Sequence, residues 1–272
     1  DAWLIELTGG PLTECDTCPN YKYEDLTDFY WPALVAAVQN YSAQRKLDYV
    51  GYSNGCRVAI DSLKNFSATG KNNAGYCFNS ETGFYDLTCS LSSNPVDRFI
   101  GIACPGAFEG TSPISLLVEV FGDFAISALE QSNTNHVSNP QLYIKLFENC
   151  YRNDTVEDCS NSIYRLTIDE GKTSLNLLKK YDEWIDSSQD PQPGSDLSLN
   201  KIVLIDGKIS LGFLLDLIFS DSDRFVTLND QNAIYNAINS SDKSKVIIEG
   251  VDHIQIIDSE QVIKEIKEAI ND

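Results

Sequence analysis

Ser53 sits in Gly51-Tyr52-Ser53-Asn54-Gly55, between a β-prone run (Lys46 to Val50) and a stretch with helical character (Cys56 to Leu63). A G-x-S-x-G turn between a strand and a helix is the sequence form of a nucleophile elbow. The turn strains the serine backbone, and glycines two before and two after keep neighbouring backbone from clashing. The helix that follows directs its free N–H groups at the hydroxyl. A serine hydroxyl attacks only when a base takes its proton, and imidazole is the usual base near neutral pH. The chain has two histidines. His136 falls in a polar, Asn-rich loop and reads as an exposed residue. His253 follows the last β-prone run, in a loop beyond a strand's carboxyl end, where sites of parallel sheets lie. An imidazolium needs a carboxylate behind it. Asp223 is the leading candidate, with Asp221, Asp206 and Asp230 as competitors.

The elements that must position these groups alternate. Ala2 to Leu7 reads as a buried strand closed by Gly9-Gly10-Pro11. Asp25 to Gln44 reads as a helix with Leu34, Val35, Val38 and Tyr41 on one face. Val96 to Cys104 is a strand stopped by Pro105-Gly106, and Lys201 to Ile205 is another. A helix around Gln231 to Asn239 and a strand over Lys245 to Gly250 follow. Ser259 caps a last helix with Val262, Ile263, Ile266 and Ile270 on its apolar face. The expected fold class is α/β: a mostly parallel central sheet with helices on both faces. Residues 106–199 differ, with apolar helical stretches at Ile114 to Leu129, Leu142 to Phe147 and Leu175 to Ile185 between polar loops. They read as an inserted, mainly helical cap on a core made of residues 1–105 and 200–272, with 190–195 as the return linker.

Composition narrows the partners. With 272 residues and 42% hydrophobic content the chain is globular. A net charge of −20 argues against nucleic acid and anionic membrane surfaces. No apolar run reaches the length of a membrane span. Eight cysteines point to an oxidising compartment, with Cys77–Cys89 and Cys150–Cys159 as local pairs. Cys15-x-x-Cys18 lacks a second pair at zinc spacing, so it reads as structural and no metal is expected. Sequons at Asn40, Asn65, Asn153 and Asn239 suit a glycosylated, secreted or cell-surface protein. A chain beginning at Asp1 and holding no Met reads as a mature or excised piece of something longer.

On these residues the chain resembles the α/β-hydrolases, and within them the lipase and esterase group near the acid lipases. Ala2-Trp3-Leu4 is similar to a "D-V-W-L" strand, and Trp31-Pro32-Ala33 to the "D-L-P-A" helix before the elbow. Tyr49 to Gly55 resembles "V-G-H-S-x-G". Asp223-Arg224-Phe225-Val226 and Gly250-Val251-Asp252-His253 resemble the acid and histidine loops. The chain order Ser, Asp, His is that of the family. The resemblance implies Ser53 as nucleophile, His253 as base and Asp223 as its orienter, with no cofactor. It implies a carboxylic ester as substrate, small or lipid-like, and the apolar cap helices point to an apolar acyl group. The family's strand ending in His-Gly, whose loop supplies an oxyanion-hole N–H, has no counterpart here. The Asn54 N–H supplies one donor. The second falls to Gly9, Gly10 or another loop, or to a segment cut away, unless Trp3 to Gly10 is itself the oxyanion strand. A binding or structural module on the same fold, weak or dead as an enzyme, is the alternative.

Overall fold

The computed structural model describes residues 2–7, 20–44, 46–69, 77–79, 84–86, 94–106, 136–138, 172–174, 176–177, 179–180, 183–184, 197–208, 228–251, 253 and 255–271. Their centre is a four-stranded, wholly parallel sheet in the order β1 (Leu47–Tyr52), β4 (Val96–Ile102), β7 (Ser198–Lys208), β8 (Asn239–Glu249). Side chains of the middle strands alternate between two buried layers, as a sheet covered on both faces requires. Phe99, Ile202 and Leu204 point to one layer and Ile100, Val203 and Ile205 to the other.

The first layer is filled by α2 (Trp31–Ser42), α3 (Asn54–Thr69) and α4 (Leu228–Ala237), through Val35, Ala36, Val58, Ile60, Leu63 and Ile234. The second is filled by α5 (Glu260–Asn271), through Val262 and Ala269, with Ile256 from the preceding 3₁₀ turn. A short α1 (Tyr23–Asp25) runs into a π-turn over Leu26–Tyr30 and then into α2. The π-turn ends at Tyr30, two residues before Pro32. That ring has no N–H to give and would clash with the carbonyl of Asp28, so the wider turn absorbs it. Two small antiparallel ladders, β2 (Cys77–Asn79) with β3 (Phe84–Asp86) and β5 (His136–Ser138) with β6 (Lys172–Ser174), complete the described elements.

Ala2 to Leu7 is not a strand: Ile5 and Leu7 pack on the core, but Leu4 is 89% exposed and Trp3 lies stacked on Tyr41 of α2. A four-residue apolar run does not by itself discriminate strand from irregular chain. β4 stops at Ile102 rather than Cys104 because Ala103 turns into the left-handed region (φ 47°). β8 is far longer than Lys245 to Gly250. It begins at Asn239, where the sequence predicts the end of a helix, and its polar first half disguises a charged strand at the edge of the described sheet. Ile263 is 42% exposed, and Ala269 takes a place in the buried stripe instead.

Within 106–199, His136 lies in β5 rather than a loop. Positions 176–177, 179–180 and 183–184 are helical, and Leu177 and Trp184 are buried in the same cluster as α3. The Ser174 hydroxyl donates to the Tyr21 carbonyl, and Asn176 donates to Asn20 twice, from its backbone N–H to Oδ1 and from its side-chain amide to the carbonyl. The expected helices at 114–129 and 142–147, and the cysteine pairs 77–89 and 150–159, fall outside the described residues. So do Cys15, Cys18 and the linker at 190–195.

Candidate active site

Ser53 stands where β1 becomes α3. Its φ is 48°, a left-handed value that side-chain-bearing residues adopt at a cost of about 1–3 kcal/mol. The local hydrogen bonds hold it there. The Ser53 N–H extends the parallel ladder to the Ile102 carbonyl at 2.8 Å. The Ser53 carbonyl accepts from the N–H groups of Cys56 at 3.0 Å and Arg57 at 3.2 Å, which starts the helix. Gly51 is packed so closely that a Cβ there would lie 2.8 Å from Cys56 Cα and 2.7 Å from the Tyr49 ring. Gly55 differs: among the described residues the nearest atom to its would-be Cβ is Tyr49 Oη, at 4.0 Å. Of the two motif glycines, the described surroundings demand only the first.

His253 arrives from the other edge of the described sheet. β8 ends at Glu249, Gly250 turns with φ 80°, and its N–H bonds the Lys208 carbonyl at 2.7 Å. The chain then crosses the sheet end. His253 is buried, and its Nε2 lies 2.8 Å from Ser53 Oγ across 200 residues of sequence. The Tyr52 hydroxyl donates to the His253 carbonyl at 2.7 Å, and the two rings lie 5.3 Å apart. Ser53 and His253, far apart in sequence, are therefore brought within hydrogen-bond distance.

Asp223, Asp221, Gly9 and Gly10 lie outside the described residues. Asp230 falls in the first turn of α4. Asp206 is fully buried inside β7, its Oδ1 accepting from the Gly207 N–H at 2.9 Å. Asn54 is the first residue of α3, so its backbone N–H belongs to the turn whose donors have no intrahelical acceptor. Among the described residues no group of three or more potential ligands is placed to hold a metal ion. None of their helices is long and apolar enough to cross a membrane.

Two features escaped the sequence reading. Cys56, three residues after Ser53, is disulfide-bonded to Cys104, two residues after the end of β4, and both are fully buried. Gly101 makes room for the bridge: a Cβ there would meet Cys56 Sγ at 2.7 Å. Arg57 is also fully buried. It donates to Asp61 Oδ2 at 2.8 Å and to the carbonyls of Pro105 and Gly106, and its guanidinium lies 5.4 Å from the Trp184 ring centre. The Tyr23 hydroxyl donates to the same Asp61 oxygen at 2.7 Å. Tyr49 closes the elbow from below, its hydroxyl donating to the Gly55 carbonyl at 3.0 Å. Burial there pushes the Tyr49 hydroxyl up to about 12, a nearby Trp31 offsetting only part of the rise.

Neither a protein-family model nor a curated protein sequence matches the chain. Solved structures do. MenH from S. aureus superposes with a TM-score of 0.54 at 14% identity, covering 98% of this chain and 82% of that one. A meta-cleavage product hydrolase from Pseudomonas fluorescens gives 0.53 at 13% identity, over 98% and 78%. A serine hydrolase from Cycloclasticus zankles gives 0.52 at 14% identity, over 97% and 77%. At such identities the likeness speaks to the fold alone. The chain has the α/β-hydrolase fold.

Proposed function

We propose that the protein is a serine hydrolase of carboxylic esters. The observation that carries this reading is the 2.8 Å approach of His253 Nε2 to the hydroxyl of a serine held at positive φ between strand and helix. The mechanism follows from the groups present. Ser53 Oγ attacks the ester carbonyl carbon while Nε2 takes the hydroxyl proton. The carbonyl oxygen gains the negative charge, and the Asn54 N–H is the donor nearest in sequence to hydrogen-bond it, with Gly10 as the second. Collapse expels the alcohol, which leaves with the proton from Nε2. Water then attacks the acyl carbon with the same imidazole taking its proton; the acyl–Oγ bond breaks, the carboxylic acid leaves, and Oγ takes the proton back from Nε2. Asp223 is assigned to Nδ1, where a carboxylate fixes the ring tautomer and offsets the imidazolium. A lipid-like or otherwise apolar acyl group is proposed from the apolar stretches at 114–129 and 142–147. An extracellular or cell-surface location is proposed from the cysteines and sequons.

The test is covalent. A fluorophosphonate should add one adduct mass, mapping to Ser53, and Ser53→Ala should abolish it. Asp223→Asn should slow labelling by orders of magnitude, and Asp206→Asn should not. No adduct at any pH would leave only a binding module on the same fold. A p-nitrophenyl ester series that favours acetate over longer chains would reject the apolar acyl group.

A further inference from the structure

The sheet order sets a problem for the base. β1 and β8 are three strand spacings apart, with β4 and β7 between them, so about 14 Å separates the strand that carries Ser53 from the strand that delivers His253. The loop after Gly250 must cross the ends of two strands. A histidine fixed by its ring alone would leave that loop's backbone free to drift, and catalytic geometry tolerates little drift: about 1 Å of misplacement costs on the order of a hundredfold in rate.

We propose that Tyr52 is the positioning residue for the base. It is the last residue of β1 and the neighbour of the nucleophile, so it shares the frame in which Ser53 is set. Its ring packs on the buried cluster that includes Ile256, just beyond His253. Its hydroxyl grips the His253 carbonyl at 2.7 Å, while Ser53 Oγ meets the same residue's Nε2 at 2.8 Å. His253 is thus held at backbone and side chain by two consecutive residues, the last of β1 and the turn residue after it, at the opposite edge of the described sheet. The x of this G-x-S-x-G is therefore a working position. A phenylalanine there keeps the ring packing and loses only the grip, leaving a part-buried carbonyl without that donor. The inference rests on the hydrolase reading for its kinetic consequence and on geometry alone for its structural one.

The experiment reads both. Tyr52→Phe is compared with wild type and with Tyr235→Phe, which removes another tyrosine-to-carbonyl bond, to Lys243, remote from Ser53. The chain holds two histidines, so the ring resonances reduce to two sets, and His136→Asn identifies that of His253. In Tyr52→Phe the His253 resonances should shift and lose their sensitivity to Ser53→Ala. Fluorophosphonate labelling should slow by about ten- to a hundredfold with half-saturation changed less than about twofold. Tyr235→Phe should do neither. If the His253 resonances of Tyr52→Phe match wild type, or if labelling proceeds at the wild-type rate, the proposal is overturned. If wild type itself does not label, the hydrolase reading falls, and the resonance comparison alone decides on Tyr52.

Discussion

Alanine at the two glycines of the motif should have opposite effects. At Gly51 a Cβ would lie 2.8 Å from Cys56 Cα and 3.0 Å from Cys56 N, as well as 2.7 Å from the Tyr49 ring. Ordinary contact begins near 3.4 Å. The first turn of α3 must therefore retreat from β1 by about 0.6 Å, and it cannot do so freely. Cys56 is covalently tied to Cys104, and the Ser53 carbonyl is bonded to the N–H groups of Cys56 and Arg57. Overpacking of this kind costs typically about 1–3 kcal/mol. The displaced atoms are the turn that sets Ser53, so labelling of Ser53 should slow by about ten- to a hundredfold as well. At Gly55 the nearest described atom is 4.0 Å away, and the residue lies in the first turn of a helix with no positive φ. Alanine there gains about 0.5–1 kcal/mol of helix stability. Urea unfolding should give Gly51→Ala below wild type and Gly55→Ala at or above it, a separation of about 1.5–4 kcal/mol, with fluorophosphonate labelling as the parallel readout. If Gly51→Ala is as stable as wild type, or if Gly55→Ala is the more damaging, the close-approach argument is wrong.

The Cys56–Cys104 bridge closes a loop of 48 residues. Its removal in a Cys56→Ala/Cys104→Ala double variant should therefore cost up to about 4 kcal/mol in denaturant unfolding on the loop-entropy account. Arg57→Ala leaves Asp61 and the Pro105 and Gly106 carbonyls without their buried cation, and should cost about 3–5 kcal/mol by the same assay. Tyr49 is favoured in its neutral form by folding, so its contribution is complete below the ordinary tyrosine value near 10 and is lost as pH rises through about 12. Stability should fall over that window by no more than about 3 kcal/mol, and Tyr49→Phe should flatten that part of the alkaline limb when unfolding is followed against pH.

What the sequence shows and what it hides divide along the range of the interactions. The elbow was legible because strand, turn and helix are encoded within some seventeen consecutive residues, and His253 because it follows the last strand of a parallel sheet. The Cys56–Cys104 bridge was not. It joins a helix to the end of a neighbouring strand, and no short polar loop between the two cysteines advertises it. β8 was legible only in its apolar half, since an edge strand takes lysines and serines at no penalty. Tyr52 looked like the variable letter of a motif. Its task exists only because β1 and β8 occupy opposite edges of the described sheet, a fact of topology rather than of local pattern. Arg57 looked like one polar position on a helix face. Only the return of Pro105-Gly106 and Trp184 to that face makes it a buried junction.

The strain at Ser53 is one of a pair. Tyr52, Ile102 and Ile205 lie level across three strands, and the residue after each of the first two turns left-handed: Ser53 at φ 48° and Ala103 at φ 47°. Each strained residue still donates its N–H to the carbonyl one strand over, Ser53 to Ile102 and Ala103 to Ile205, both at 2.8 Å. The parallel ladder thus continues one residue past the strands while the chains themselves leave the sheet at a common level. Two non-glycine residues in this region cost about 1–3 kcal/mol apiece, and each alone would relax by letting its segment swing. Neither segment swings independently, because Cys56 just beyond one turn is bonded to Cys104 just beyond the other. Arg57 of the first segment also binds the Pro105 and Gly106 carbonyls of the second. The two turns brace one another, and the rigid edge they form is what allows a histidine arriving from three strands away to find the serine hydroxyl in a fixed place.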